Sequence, residues 1–381
     1  MLIAVIGGKL QGVEAVYLAQ KAGFKTLVID KNPLAPATGF CDQFMEFEFS
    51  LEHPVPKDCP KIDLILPAIE DTYILVAIKI WAKLKNIPLA FDMDAYRISS
   101  SKLKSDALFK KMDLPAPRPW PDCSFPVVVK PDQASGSQGV EIFKDKEAFL
   151  SRFSTQQKQN NIVIQEYIQG PSYSIEVIGC PGQYHTLQVT DLGMDKGYDC
   201  KRVTAPTRLS LNQVNRFEKT ALAIAKEIDL NGIMDVEVIL NKNELKLLEI
   251  DARLPSQTPI TVYWSTGINM VKMLCDLFLN EKCPYPEQKH ERFVTVEHIL
   301  FSGSDFKVCG EHIMPQDGPL KIISDFFGAD EAITSFAKGK DKWVATMIFT
   351  GSSQEEVINK RENCYNKMPG AINHILKEKI H

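Results

Sequence analysis

Apolar residues come in short runs and alternations along this chain, never in one long block. Leu2–Ile6 is an apolar run that enters Gly7-Gly8-Lys9-Leu10-Gln11-Gly12, and residues 13–22 carry an apolar stripe at helical spacing that ends at Gly23. A second apolar run, residues 25–29, closes on Asp30. Strand, glycine turn, helix and strand in that order predict the βαβ opening of a doubly wound α/β sheet. Residues 62–66 read as a further buried strand ending in Pro67-Ala-Ile-Glu70-Asp71, followed by a helix over 72–84. Helical spacing returns at residues 102–112, and prolines at 115, 117, 119, 121 and 126 keep the next passage extended. An apolar strand over 125–130 then delivers Lys130 into the Gly/Ser-rich loop 131–139, and strands are expected at 161–168 and 172–178. Residues 191–208 are polar, contain glycine and are long for a connection, which predicts a functional or mobile loop. Helices are expected at 213–228 and 271–279.

The most informative pattern lies between those two helices. Val236, Val238 and Leu240 alternate with Asp235, Glu237 and Ile239, and Leu248 and Ile250 alternate with Glu249 and Asp251, on either side of a turn at 241–244. This is a hairpin, and a register that sets Glu237 opposite Glu249 also sets Asp235 opposite Asp251, so all four carboxylates share one face. Like charges facing across strands cost up to about 1 kcal/mol per pair, and such a face calls for a cation. Oxygen donors without a neighbouring His or Cys cluster favour Mg²⁺, which in turn calls for phosphate. A solvent-facing edge hairpin would show the same four acids. Arg253, two residues beyond the last of them and followed by Pro255-Ser-Gln-Thr-Pro259, adds a donor suited to phosphate.

Composition narrows the class. The chain has 381 residues, 44% of them hydrophobic, and a net charge of −4, so several domains with their own cores are expected and neither nucleic acid nor a membrane surface is an expected partner. No apolar run reaches the roughly 18 residues of a membrane span, and the first run meets a glycine turn too early to be a signal segment, which points to the cytoplasm. Nine cysteines, odd in number and without a C-x-x-C, suggest free thiols and neither a disulfide framework nor zinc. Domain boundaries are expected near residues 95–101 and 280–292, giving units 1–98, 99–285 and 286–381.

Single motifs are ambiguous. The opening turn followed by Asp30 could serve a nicotinamide dinucleotide, but Lys9 stands where the G-x-G-x-x-G fingerprint needs a glycine. Glu70 falls at the C-terminal end of a parallel strand, where open α/β sheets bind ligands, and equally could be a helix N-terminal acid. A lysine delivered into a Gly/Ser loop can hold phosphate or merely precede a connector. Backbone amides near residue 166 could pair with adenine as with another strand, while Tyr167 reads as core.

Taken in order, these pieces resemble the ATP-grasp ligases. The resemblance implies an α/β ATP-grasp fold with an N-terminal Rossmann-like domain of the biotin-carboxylase kind and a small C-terminal α+β domain, binding ATP with two Mg²⁺ ions. It implies that Lys102 and Lys130 hold the ATP phosphates, that Ser135, Gly136 and Gly139 belong to a phosphate lid, and that Gln165 and the backbone of Glu166 and Ile168 hold adenine. Ser172 stands where a glutamate usually contacts the ribose. Glu237, Glu249 and Asp251 become the metal ligands, although the third is often Asn, and Arg253 the catalytic residue.

GGKLQGVEA, FDMDAYRIS, GPSYSIEV, GYDC, GIMDVE and EIDARLPSQTPITVYWSTGIN further resemble the pyrrolysine-biosynthesis branch of that family over nearly the whole chain, more loosely after about residue 290. That branch implies small-molecule substrates, 3-methyl-D-ornithine activated as an acyl phosphate and L-lysine attacking through its ε-amine, with monomer and homodimer both open. Leu10, Gln11 and Glu70 would then contact substrate, Glu176, Asp199 and Asp235 would receive amino groups, and Ser256, Gln257 and Thr258 would orient the activated carboxylate. The rival readings are a D-alanine–D-alanine-like ligase, a carboxylase using carboxyphosphate, a dehydrogenase, and a non-catalytic nucleotide-binding module.

Overall fold

A computed structural model of the chain describes residues 1–133, 136–153, 161–280, 282–283, 285–303 and 305–368. Strands β1 (Leu2–Ile6), β2 (Lys25–Asp30), β3 (Gln43–Glu46) and β4 (Leu64–Pro67) form a parallel sheet in the order β3-β2-β1-β4. Helices α1 (Leu10–Lys21) and α2 (Thr72–Lys85) cover it. Alternate residues of β1 serve the two layers: Ile3 and Val5 join the apolar cluster around α1, Ala4 and Ile6 the one around α2. Helix α1 starts three residues before the apolar stripe predicts. Its first turn rests on the end of β1 at Gly12, where an added Cβ would lie 2.2 Å from the Gly7 carbonyl oxygen. Asp30 is occupied in the turn itself, with Oδ2 accepting from Gly8 N at 2.7 Å and Oδ1 from Asn32 N at 2.8 Å.

After helices α3 (Met93–Ser99) and α4 (Lys102–Lys111), strands β5 (Val127–Pro131), β6 (Glu141–Phe143) and β7 (Ile162–Glu166) make a small antiparallel sheet. Helix α5 (Lys146–Phe153) packs on it through Phe149, which meets Trp120, Phe125, Phe143 and Phe153.

An eleven-stranded sheet holds the remainder: β8 (Ser172–Cys180), β9 (Gln183–Thr186), β10 (Thr190–Met194), β11 (Cys200–Ala205), β12 (Gly232–Asn241), β13 (Glu244–Asp251), β14 (Phe293–Ser302), β15 (Asp305–Val308), β16 (Lys321–Phe326), β17 (Ala329–Thr334) and β18 (Lys342–Gly351). Its main path runs β13-β12-β8-β10-β11-β14-β18-β17-β16. Helix α6 (Leu211–Glu227), entered through a Ser210–Gln213 capping box, covers the β8–β12–β13 end, and α9 (Gln354–Lys367) covers the β14–β18 end. Helices α7 (Pro259–Thr266) and α8 (Met270–Asn280) pack against α1, so one apolar cluster runs from the N-terminal sheet into the C-terminal strands.

Two expectations change. Residues 191–208 are no loose loop: β10 and β11 pair with each other and sit between β8 and β14 inside the sheet. Their polar residues have partners, Asp191 accepting from Thr207 Oγ1 at 2.5 Å and Arg202 donating to Glu297 at 2.8 Å, which a single sequence does not display. The acidic hairpin has the expected register, Asp235 opposite Asp251 and Glu237 opposite Glu249, but a bulge follows Glu237 and pairs Val238 with Leu247. The bulge shifts the period of two, so Leu247 takes the core position expected of Leu248.

Candidate active site

The three sheets meet around a cavity of about 770 Å³. Its floor is the hairpin face, extended across a third strand because β8 pairs with β12 to set Glu176 opposite Asp235 and Ser174 opposite Glu237. Withdrawal from water, then Glu249 and Asp251, push Glu237 up to about 8. Burial likewise pushes Asp235 and Asp251 well above the usual carboxylate range. Asp235 Oδ1 meets no hydrogen-bond donor. A face of oxygen donors that would otherwise hold protons near neutral pH fits a divalent cation of the magnesium kind.

Cations approach this face from both sides. Lys102 Nζ lies 3.1 Å from Glu249 Oε1. Lys130 also lines the cavity, and burial lowers its pKa against the pull of Glu249. The two lysines are coupled through the backbone: Asp132 Oδ1, in a residue only 6% exposed, accepts from Ser101 Oγ at 2.8 Å and Leu103 N at 3.0 Å, so the residue just past β5 fastens the start of α4. Asp106, one turn after Lys102, lies near both lysines and is pushed up to about 6 by burial. Arg253 Nη2 reaches Asp251 Oδ2 and Glu70 Oε1, both at 2.8 Å, while its buried Nε finds no protein acceptor. Asp71 caps α2 by accepting from Tyr73 N at 2.9 Å, so Glu70 is not the capping acid; it faces the cavity and takes Gln11 Nε2 at 3.2 Å.

At the far wall Gln165, Ile168 and Ser172 line the cavity with Glu166. The Glu166 N–H is committed to the Arg118 carbonyl at 2.8 Å, which leaves the Glu166 carbonyl as the backbone group able to face a base. Tyr167, expected in the core, instead lines the cavity and its hydroxyl meets that of Tyr198 at 2.9 Å. Gly136 is at the cavity with φ +60°; Gly139, with φ +72°, is not among the lining residues, and Ser135 lies outside the described residues.

Leu10, Asp199, Ser256, Gln257 and Thr258 also line the cavity. Glu176 stands behind it, 0% exposed, taking the hydroxyl of Thr258 on Oε1. Gln257 Nε2 and Ser256 Oγ donate to Glu311, and Asp199 Oδ1 pairs with His312 Nδ1 at 2.8 Å. Sequence reasoning missed Asp106, Asp132, Glu311 and His312. Asp106 had a signal, its place four residues after Lys102 on one helix face. Glu311 and His312 are brought in from the C-terminal segment, and Asp132, two residues past Lys130, acts on the start of α4.

Residues 99–257 match the ATP-grasp domain family and residues 3–87 the family described as "PylC-like, N-terminal domain". The 3-methyl-D-ornithine–L-lysine ligase of Methanosarcina acetivorans is 35% identical over 371 residues, 94% of this chain and 95% of that protein. Its counterpart in Methanosarcina mazei is 34% identical, over 93% and 92% of the two chains. Among solved structures, the biotin carboxylase domain of Hydrogenobacter thermophilus 2-oxoglutarate carboxylase, crystallised with MgADP, superposes with a TM-score of 0.72 at 14% identity, covering 96% of this chain and 89% of that one. The L-amino acid ligase of Bacillus licheniformis superposes at 0.64 with 19% identity, over 95% and 96%. Fold and domain matches together define an ATP-grasp enzyme. The chain belongs to the same ATP-grasp ligase family as the Methanosarcina relatives, ATP-dependent enzymes that form C–N bonds between small molecules with ATP and Mg²⁺. None of the helices among the described residues is long and apolar enough to cross a membrane.

Proposed function

We propose that this ligase joins the carboxylate of 3-methyl-D-ornithine to the ε-amine of L-lysine in pyrrolysine biosynthesis. Identity of 34–35% across more than nine-tenths of the chain to relatives bearing that name carries the substrate assignment. The cavity supports it by lining one space with lysines suited to phosphates and with carboxylates suited to ammonium groups.

In this reading the substrate carboxylate attacks the γ-phosphorus of ATP, ADP departs, and the ε-amine attacks the resulting acyl phosphate, losing a proton as phosphate leaves. Lys102 and Lys130 hold the phosphates, and Glu237, Glu249 and Asp251 hold two Mg²⁺ ions. When bound, Mg²⁺ neutralises charge on the transferring phosphoryl oxygens. Arg253 is already oriented by Asp251 and Glu70 and has a buried N–H to spare, so its fork serves the oxyanion that grows as the acyl phosphate is attacked. Gln165, the Glu166 carbonyl and the Ile168 amide take the base, Ser172 lies toward the ribose, and Gly136 and Gly139 belong to the phosphate lid. Residues 1–98 and the unit that begins at residue 286 flank a central unit, 99–285, and their described residues help hold the two amino acids in place, where positioning is worth about 7–11 kcal/mol of barrier.

Incubation with ATP, Mg²⁺, L-lysine and 3-methyl-D-ornithine or D-ornithine should yield ADP and the amide, read by mass. ADP formed only with other acids or amines, and no such amide, would overturn the substrate assignment.

A further inference from the structure

The C-terminal segment brings to the cavity a side chain that the mechanism above does not use. Glu311 opens the short 3-10 helix Glu311–Gln316 and is 2% exposed, yet it lines the cavity. Its Oε1 is held by Gln257 Nε2 at 2.8 Å and Ser256 Oγ at 3.2 Å, whereas Oε2 meets no donor. A buried carboxylate with one oxygen fixed and the other bare is costly unless a ligand supplies the missing donor.

The neighbours of Glu311 decide what kind of donor fits. Asp199 Oδ1 takes His312 Nδ1 at 2.8 Å and its Oδ2 takes the His312 backbone N–H at 3.3 Å, so this pair answers its own polarity. Gly310 lets the pair approach, since a Cβ there would lie 1.9 Å from Asp199 Oδ2. What remains over is a single carboxylate charge and one acceptor. Ligand atoms of Asp199, Glu311 and His312 lie within 4.8 Å of one another, a spacing that would also suit a divalent metal. A metal, however, would have to compete with the Asp199–His312 hydrogen bond, while an ammonium group needs only the bare oxygen.

We propose that Glu311 Oε2 receives a primary ammonium group of an amino-acid substrate, which makes Glu311 a specificity-determining residue. The identity of the amino acid rests on the reaction proposed above; the role of Glu311 does not. Glu311→Gln keeps an acceptor for Gln257 and Ser256 and removes the charge, so the loop should keep its place.

The test is equilibrium binding to the full chain by calorimetry. L-lysine is compared with 6-aminohexanoate, which lacks only the α-ammonium, and D-ornithine with D-norvaline and 5-aminopentanoate, which lack the δ- and α-ammonium respectively. One amino acid should bind wild type about 10- to 100-fold more tightly than its deaminated analogue, and Glu311→Gln should bind both alike. Glu311→Asp should restore part of the discrimination. The comparison that responds identifies the substrate and the ammonium involved. Wild type that binds none of the amino acids, or discrimination that survives in Glu311→Gln, overturns the proposal. So does tight Zn²⁺ or Mn²⁺ binding abolished by Glu311→Gln while ammonium discrimination stays intact. Failure to make the amide in a parallel assay would sink the proposed reaction and leave the binding result to decide the role of Glu311.

Discussion

Glu237 and Glu297 are acids on strands of one sheet, and their surroundings differ in kind. Glu297, 0% exposed on β14, takes Arg202 Nη2 at 2.6 Å from the residue directly opposite on β11, and also Arg361 and the Tyr365 hydroxyl from α9. Burial works to raise its pKa, but the two guanidiniums outweigh it and hold the carboxyl at about 2. Glu237 instead faces Glu249 across the strand and has Asp251 nearby, and its carboxyl rises to about 8. A buried acid whose partners are all protein groups does structural work; one placed among like charges on a cavity wall awaits a ligand.

Exchanging charge for amide at each position breaks this comparison most directly. Glu237→Gln and Glu249→Gln should each lower ADP formation by about a hundredfold to a thousandfold while the protein stays folded, and Glu237→Gln should leave thermal stability unchanged or improved because repulsion from Glu249 and Asp251 is relieved. Near-normal turnover in both would remove the metal role. Glu297→Gln should do the reverse, costing about 3–5 kcal/mol by leaving Arg202 and Arg361 without their charge partner, with turnover per folded molecule close to wild type. Denaturant unfolding and a specific-activity assay separate the two outcomes.

Arg253 stands between these extremes, because it is paired and also faces the cavity. Arg253→Lys should lower turnover by about a hundredfold and change ATP affinity little, since lysine keeps the charge and loses the planar fork. A loss of thermal stability and metal affinity at unchanged turnover per loaded molecule would instead assign Arg253 to bracing the hairpin. Lys130→Ala should weaken ATP binding by about tenfold and leave amino-acid binding intact, as measured by calorimetry; unchanged ATP affinity would make the loop 136–139 a connector.

The smallest effect is a pH dependence. Glu297 titrates at about 2 in the folded chain against an ordinary value of 4.5, so its contribution is fully present above about pH 4.5 and is lost as pH falls toward 2. Melting temperature should drop over that window in wild type and change less in Glu297→Gln. Equal slopes would show that other carboxylates govern acid unfolding.

Much of the candidate site was legible because its signals are local. The period of two puts Asp235 and Glu237 on one face of their strand and Glu249 and Asp251 on one face of theirs, but the pairing that starts at the turn, Asn241 opposite Glu244, would set Glu237 opposite Leu248, and the bulge after Glu237 is what makes the two acidic faces coincide. The opening βαβ unit is legible in the same local way, since its apolar run, glycine turn and helical stripe follow from backbone geometry within thirty residues. The bulge also defeats period-two reasoning at Leu247 and Leu248, because one inserted residue inverts the pattern without changing composition.

Partners that come from far along the chain were decided only in the folded molecule. Arg202 reads as part of a polar loop until β14 sets Glu297 opposite it, 95 residues away. Asp132 is only one position of the Gly/Ser-rich loop 131–139 until its carboxylate accepts from Ser101 Oγ and Leu103 N at the start of the helix that carries Lys102. Glu311 has no periodicity or motif to mark it; it becomes a cavity residue only because the C-terminal strands fold back against the loop holding Ser256 and Gln257. Amino-acid order fixes backbone period and turn chemistry over a few residues, whereas the partner of a buried polar atom is chosen by packing among segments that share no local signal.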